Sequence, residues 1–254
     1  MVAELKDQIE EKKAKLDALR PLHAESLEYL RRHYDIELTY TSNAIEGNTL
    51  SAAETELVVE KGITVAGKPL RDHLEALDHY EALGFVHALA EQDQPITEFV
   101  VRQLHELVVR RSHPEIAGQY ATVARLVRTD GGRHAFPPPA EVPALMGAFS
   151  RWLEAAPAAP DAAFEAHKRL VGVHPFNDGN GRTARLLMNL ILIRGGYPPI
   201  AVRPIDRLDY VRSLAAAQAG EDRGAFEALL CKRLDETLTE YLSALSQALP
   251  PNAR

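Results

Sequence analysis

Twelve residues constrain this chain more than any other stretch: His174-Pro175-Phe176-Asn177-Asp178-Gly179-Asn180-Gly181-Arg182-Thr183-Ala184-Arg185. They close one helical segment and open another, which runs through Leu186, Leu187, Leu190 and Ile191 to a stop at Gly195-Gly196. Apolar residues nearly surround the middle of that second helix, so it is expected to be central and buried. Any fold built on it carries at the helix N-terminus a loop with an imidazole, a carboxylate, two glycines and two arginines. Such a loop suits a polyphosphate, because glycines let backbone amides turn toward an anion where the helix dipole already favours negative charge.

The side chains extend that reading. Arg182 and Arg185 are three apart, share one side of the first turn and can fork onto phosphate oxygens. Asp178 is a poor neighbour for phosphate unless a divalent cation lies between them, and Mg²⁺ held by one carboxylate and substrate phosphates is the usual arrangement. His174, at the end of the preceding helix, can take a proton from an attacking hydroxyl near neutral pH. Phe176 reads as the apolar pin of the loop. Residue types and spacing therefore point to transfer from a nucleoside polyphosphate to a hydroxyl, without saying which phosphorus is attacked. A capped helix with two surface arginines explains neither the paired glycines nor the aspartate beside them.

The remainder of the chain limits the setting. Its 254 residues suffice for one large domain or two small ones. Acidic residues outnumber basic ones 36 to 29, and a net charge of −7 argues against a nucleic-acid partner. Cys231 is the only cysteine, which excludes an intramolecular disulfide and a thiolate zinc cluster and fits a reducing compartment. Among Leu229, Leu230 and Leu234 it reads as a small buried residue. The N-terminus is charged from the start and no run has the length of a membrane span, so a soluble cytoplasmic protein without a membrane partner is expected.

Periodicity predicts helices almost throughout, an all-α class. Leu5, Ile9, Leu16 and Leu19 mark one amphipathic helix that Pro21 ends or restarts; Leu27, Leu30 and Tyr34 mark the next, and the two are expected as a helical hairpin laid on the rest. Glu46-Gly47-Asn48 reads as a last helical turn with a glycine stop. A glutamate there opposes the helix dipole and needs a cationic partner, although a solvated carboxylate is the simpler reading of this stretch alone. Thr49 or Ser51 can cap the following helix. His73, His79 and His87 do not share a helical face, so they read as core or surface histidines and not as metal ligands. Tyr120 to Phe136 carries a hairpin signal, two short strands around Thr129-Asp130-Gly131-Gly132. Its open edge can accept an extended peptide, and a flap without a partner fits equally well. Asp161 is expected to cap the helix that ends at His174, with His167 packed on its inner side. Two more helices follow, one bearing Tyr210, Leu214 and Gln218, the other Phe226, Leu230, Leu234, Leu238 and Leu242.

His174 to Arg185 matches the motif HxFx(D/E)GNGRxxR in every specified position, and on it the chain resembles the Fic family. The resemblance implies an all-helical Fic fold with a β-hairpin flap over the site, and an adenylyltransferase that moves AMP from ATP to a Ser, Thr or Tyr hydroxyl with release of pyrophosphate. It implies His174 as general base, Asp178 as the Mg²⁺ ligand, and the Gly179 to Gly181 backbone with Asn180 as the phosphate cradle. Arg182 and Arg185 become the phosphate clamps, Phe176 the loop anchor, and Thr122 to Phe136 the flap that aligns a target segment by strand addition. Ser42, Glu46 and Gly47 match the family's inhibitory motif (S/T)xxxE(G/N), as in the class with an N-terminal inhibitory helix, here about residues 35–47. There the glutamate pairs with the second motif arginine, Arg185, and blocks a productive γ-phosphate position. Tyr210 and Gln218 lie where related proteins form the adenine pocket, many of them with Asn at the latter. Ala121 departs from the pattern, since an Arg often follows the Gly-x-aromatic at this point.

The resemblance spans roughly residues 40 to 240 and divides the chain into an N-terminal helical region, 1–90, and a core with C-terminal helices, 91–254, packed as one unit. The acceptor hydroxyl can belong to a target protein or to the chain itself, and a homodimer is left open. Two alternatives stand beside transfer. One is removal of AMP by a water that Glu46 positions; the other is a nucleotide-sensing interaction module without turnover. A phosphotransferase of the Doc type is disfavoured because Gly181 stands where that branch carries Lys.

Overall fold

The computed structural model describes residues 2–22, 24–129, 132–222 and 224–248. Ten helices are described: α1 Val2–Ala18, α2 Ala24–Ile45, α3 Ala52–Lys61, α4 Leu70–Ala90, α5 Glu98–Val109, α6 Val142–Ala155, α7 Pro160–Val173, α8 Asn180–Arg194, α9 Arg207–Ala219 and α10 Gly224–Ala248. Between α5 and α6 lies an antiparallel hairpin, β1 Leu126–Thr129 and β2 Gly132–Ala135, with Leu126 opposite Ala135. Asp130 and Gly131, on which the turn reading rested, lie outside the described residues.

α8 is the centre, as its composition predicts. Every residue from Arg182 to Leu192 is buried. Its one mid-helix amide, Asn189, is satisfied by the backbone of Ile200, donating to the carbonyl at 3.1 Å and accepting from the N–H at 2.9 Å. A buried amide so paired incurs little of the desolvation cost that an orphan would, and it ties the segment after α8 to the helix. α7 lies against α8 across the motif loop, while α4 and α5 cover other sides. One apolar cluster joins all of these with α1, α2, α9 and α10; a second, around Leu50, Val58 and Ala76, fastens α3 to α4.

Three local expectations change. α1 lies along α10 instead of folding back along α2 as a hairpin. Ile9 and Leu16 are buried, and Lys12 bonds Asp235 at 2.6 Å, so the apolar stripe of α1 is used up by the opposite end of the chain. Asp161 does not cap α7. The helix starts at Pro160, whose missing N–H suits the first helical position, and Asp161 in the first turn pairs with Lys6 at 2.9 Å. The strands are shorter than the hairpin signal, because Tyr120 and Ala121 are pinned to other elements: Tyr120 donates to Glu98 at 2.6 Å, and the Ala121 N–H donates to the Pro175 carbonyl at 2.9 Å.

Of the two cap candidates for α3 it is Ser51 that acts, in a reciprocal box with Glu54, while Thr49 bonds Asp72 through both its N–H and its hydroxyl. His73, His79 and His87 each have a separate partner: Pro69 and Val65, Thr39, and Asp35 respectively. Cys231 is buried. Among the described residues no helix is long and apolar enough to cross a membrane.

Candidate active site

The loop between α7 and α8 is built from its anchors outward. His174 ends α7 in the left-handed conformation, φ 50°, with its N–H on the Leu170 carbonyl at 2.9 Å. A non-glycine residue there costs on the order of 1–3 kcal/mol and persists only where its surroundings over-determine it. Here the imidazole stacks on Phe136, ring centroids 3.8 Å apart, and Phe136 is itself tied to Arg125 by a 3.1 Å backbone bond. The residue after the second strand thus holds the candidate base.

Phe176 is fully buried and stacks on His105 at 3.7 Å, which gives the apolar pin its socket. Asn180 brackets Phe176, its Oδ1 accepting from the Phe176 N–H at 2.9 Å and its Nδ2 donating to the Phe176 carbonyl at 2.8 Å. That side chain is therefore spent on closing the loop, and what Asn180 has left for a phosphate cradle is its backbone N–H. Gly179 adopts φ 74°, and a Cβ there would stand 2.9 Å from Val109 Cγ1 and 3.3 Å from His105 Cδ2, so both conformation and space require glycine.

His105, on α5, escaped the sequence reading. Its Nδ1 accepts from the Gly118 N–H at 3.1 Å, so the proton sits on Nε2, which donates to the Asp178 carbonyl at 3.0 Å. Burial pushes its pKa down to about 4, in keeping with that neutral tautomer. The only signal for it was a histidine among the apolar positions Val101, Leu104 and Val108 of an amphipathic helix.

At the N-terminus of α8 the charges gather. Arg182 is 1% exposed; its Nη2 lies 3.4 Å from Asp178 Oδ2 and its Nη1 3.5 Å from Glu75 Oε1. Its Nε and Nη1 are buried with no hydrogen-bond partner. Buried guanidinium donors are costly to leave unpaired, and these two are free to take an oxyanion. Asp178 Oδ1 accepts from the Gly179 N–H at 2.8 Å, and Oδ2 also faces Arg71 at 3.3 Å. Burial opposes its charge, but Arg182, the Gly179 N–H and Arg71 together hold its carboxyl below the ordinary carboxylate range.

Arg185 is 4% exposed and held on three sides. Its Nε donates to Ser42 Oγ at 2.9 Å, and its Nη2 to the Ser42 carbonyl at 2.9 Å and to Glu46 Oε1 at 2.7 Å. Its Nη1 donates to the Tyr210 hydroxyl at 3.4 Å, and that hydroxyl shares a 2.7 Å hydrogen bond with His167 Nε2. Tyr210 thus has its hydroxyl behind Arg185, and His167 is the packed neighbour its place on α7 suggested. Gln218 donates to the Lys168 carbonyl at 3.4 Å and lies beside Gly172, two residues before His174.

Burial pushes the His174 imidazole down to about 4; the Arg125 charge adds to this, and the Val171 backbone, Glu46 and Asp178 oppose it. At neutral pH the ring is uncharged, the state a proton acceptor requires. Sequence reasoning also missed Arg125, Arg71 and Glu75, which reach the loop from the hairpin and from α4 and carry no motif of their own.

A model of the Fic/DOC family matches residues 95–192. Protein adenylyltransferase Fic of Nematostella vectensis is 36% identical over 247 residues, covering 95% of this chain and 56% of that protein. The Drosophila melanogaster protein of the same name is 34% identical over 239 residues, covering 92% of this chain and 48% of its own length. The chain spans about half the length of these curated relatives. Among solved structures, a Fic domain containing signaling protein from Bacteroides thetaiotaomicron is similar with TM-score 0.86 and 30% identity, covering 94% of this chain and 97% of that one. Fic-1 from C. elegans is similar with TM-score 0.82 and 29% identity, covering 97% and 74% respectively. The chain belongs to the Fic/DOC family.

Proposed function

We propose that this chain is a self-restrained protein adenylyltransferase, which moves AMP from ATP to a Ser, Thr or Tyr hydroxyl of a target protein or of itself. The observation that carries this is the 2.7 Å pair between Glu46, just past α2, and Arg185, on the helix that the His174 loop opens. His174 accepts the hydroxyl proton; the hydroxyl oxygen bonds to the α-phosphorus as the bond to the β-phosphate oxygen breaks, and pyrophosphate leaves. The backbone N–H groups of Asn180 and Gly181, that of Gly179 once it leaves Asp178 Oδ1, and the unpaired donors of Arg182 receive phosphate oxygens.

Among the described residues no cluster of three or more His, Cys, Asp or Glu forms a metal cage. Mg²⁺ is commonly held by a single carboxylate together with phosphates, and the partly exposed carboxylate of Asp178 fits that mode. Bound there, the ion would supply neutralisation of the triphosphate charge. Arg185 would then meet the γ-phosphate only when Glu46 leaves it, which makes the glutamate a competitor for one guanidinium. Glu46 follows directly on α2, so the N-terminal region up to about residue 90 serves as the regulatory part and residues 91–254 as the catalytic part. The flap, with Leu126 and Val127 exposed, would receive the target segment as an added strand. The lone buried Cys231 suits a reducing, cytoplasmic setting.

A second reading has support from the side chain of Glu46, which is 40% exposed and so could orient a water for removal of AMP. The test is to incubate the Glu46→Gly variant with Mg²⁺ and ATP labelled at either the α- or the γ-phosphate. Label from the α position alone, with pyrophosphate released, supports adenylylation. Label from the γ position assigns phosphotransfer, and ATP binding without either assigns a nucleotide-sensing module. AMP release from a modified acceptor by the wild type, lost in the variant, selects removal.

A further inference from the structure

Glu75 is a carboxylate in the anion-binding part of the site, buried to 6% exposure, on α4 and outside the motif. Its Oε1 accepts from Arg71 Nε at 2.9 Å and stands 3.5 Å from Arg182 Nη1; its Oε2 accepts from Asn48 Nδ2 at 3.0 Å. Its backbone carbonyl accepts from Asn43. A negative charge beside a phosphate site is unfavourable unless it does something a neutral residue cannot.

The need it meets is visible at Arg182. A guanidinium with 1% exposure requires a counter-charge, and the described ion pairs give it two, Glu75 and Asp178. Asp178 is the carboxylate that a nucleotide-bound Mg²⁺ would occupy on the reading above, and Arg71 already shares it at 3.3 Å. Glu75 is then the charge left to hold the guanidinium. It suits that task because its other contacts, Arg71 and Asn48, fix the carboxylate while leaving Arg182 Nε and Nη1 without hydrogen bonds.

We infer that Glu75 is a positioning residue of the nucleotide site: it orients Arg182 toward phosphate and replaces Asp178 as its counter-charge when the metal binds. This rests on the nucleotide reading of the loop. Through Asn48, two residues past Glu46, the same carboxylate also anchors the restraining segment, so the inference is best tested where Glu46 no longer competes.

The experiment measures the Kd of Mg²⁺–ATP by calorimetry for Glu46→Gly alone and with Glu75→Gln or Glu75→Asp, together with each unfolding temperature. The neutral isostere is expected to weaken ATP binding roughly tenfold or more, the scale of losing a charge-assisted contact. The shorter acid, which keeps the charge, should recover part of that loss, and the glutamine variant should stay folded. Parental affinity in the glutamine variant overturns the inference. So does a loss of fold, or an equal loss in both variants, since either assigns Glu75 to the scaffold. If the Glu46→Gly parent binds no ATP, the nucleotide reading falls and the inference with it; if the parent binds and Glu75→Gln changes nothing, only the inference falls.

Discussion

Gly181 lies directly under the carboxylate of Glu46: a Cβ built on the glycine would fall on Glu46 Oε1 and stand 3.1 Å from Arg185 Nη1. The second glycine of the motif leaves room for the Glu46–Arg185 pair. Gly181→Ala should therefore displace Glu46 by itself. The measurement is a double-mutant cycle on labelling from α-labelled ATP. Glu46→Gly is expected to raise the rate strongly in the wild type but by less than about twofold on top of Gly181→Ala, because the coupling between contacting residues is already gone. Full additivity would mean that Glu46 tolerates a methyl group beneath it.

Acid should unfold this protein through its histidines. Burial lowers His79 and His167 to about 3 and His105 and His174 to about 4, against an ordinary value of 6.5. With the folded pKa below the unfolded one, the unfolded chain binds protons first as pH falls. The stability held above pH 6.5 is thus lost progressively between 6.5 and about 3, by up to about 1.4 kcal/mol per pH unit per histidine. Urea midpoints at pH 7.5, 6 and 5 should fall in that order, and His105→Gln should flatten the slope. A midpoint constant over this range would contradict the burial of these rings as neutral species.

Tyr210→Phe removes one hydroxyl that serves two buried partners, accepting from Arg185 and bonded to His167 Nε2 at 2.7 Å. Leaving buried polar groups unsatisfied costs about 1–3 kcal/mol. The variant should lose stability on that scale in urea melts. A change below about 0.5 kcal/mol would show that the pair is satisfied without the phenol.

The loop and the central helix were legible because their chemistry is local: two glycines, a base, an acid and two arginines in twelve residues, followed by an apolar run. Even there the sequence does not say that Asn180 places its amide on Phe176, a pairing only the folded loop reveals. Glu46 illustrates the limit of local reading. Its place at a helix end asked for a cation, but Arg185 lies 139 residues away, and only the resemblance to the Fic motifs pointed to it. His105, Arg71 and Glu75 were invisible for the same reason, being ordinary residues on amphipathic helices until folding brings them to Asp178 and Arg182. The pairing of α1 with α10 was likewise hidden, because an apolar stripe states that it will be buried and not by what.

The measurement that bears most directly on self-restraint is the initial rate of protein labelling from α-labelled ATP and Mg²⁺ by wild type, Glu46→Gly, and Glu46→Gly with His174→Ala. Breaking a charge-assisted contact to a buried guanidinium is worth about 1.5–3 kcal/mol, roughly a 10- to 100-fold change in the competing equilibrium. The account predicts a rise of about that size in the second protein and abolition in the third. Equal labelling by wild type and Glu46→Gly, or labelling that survives without His174, would contradict it.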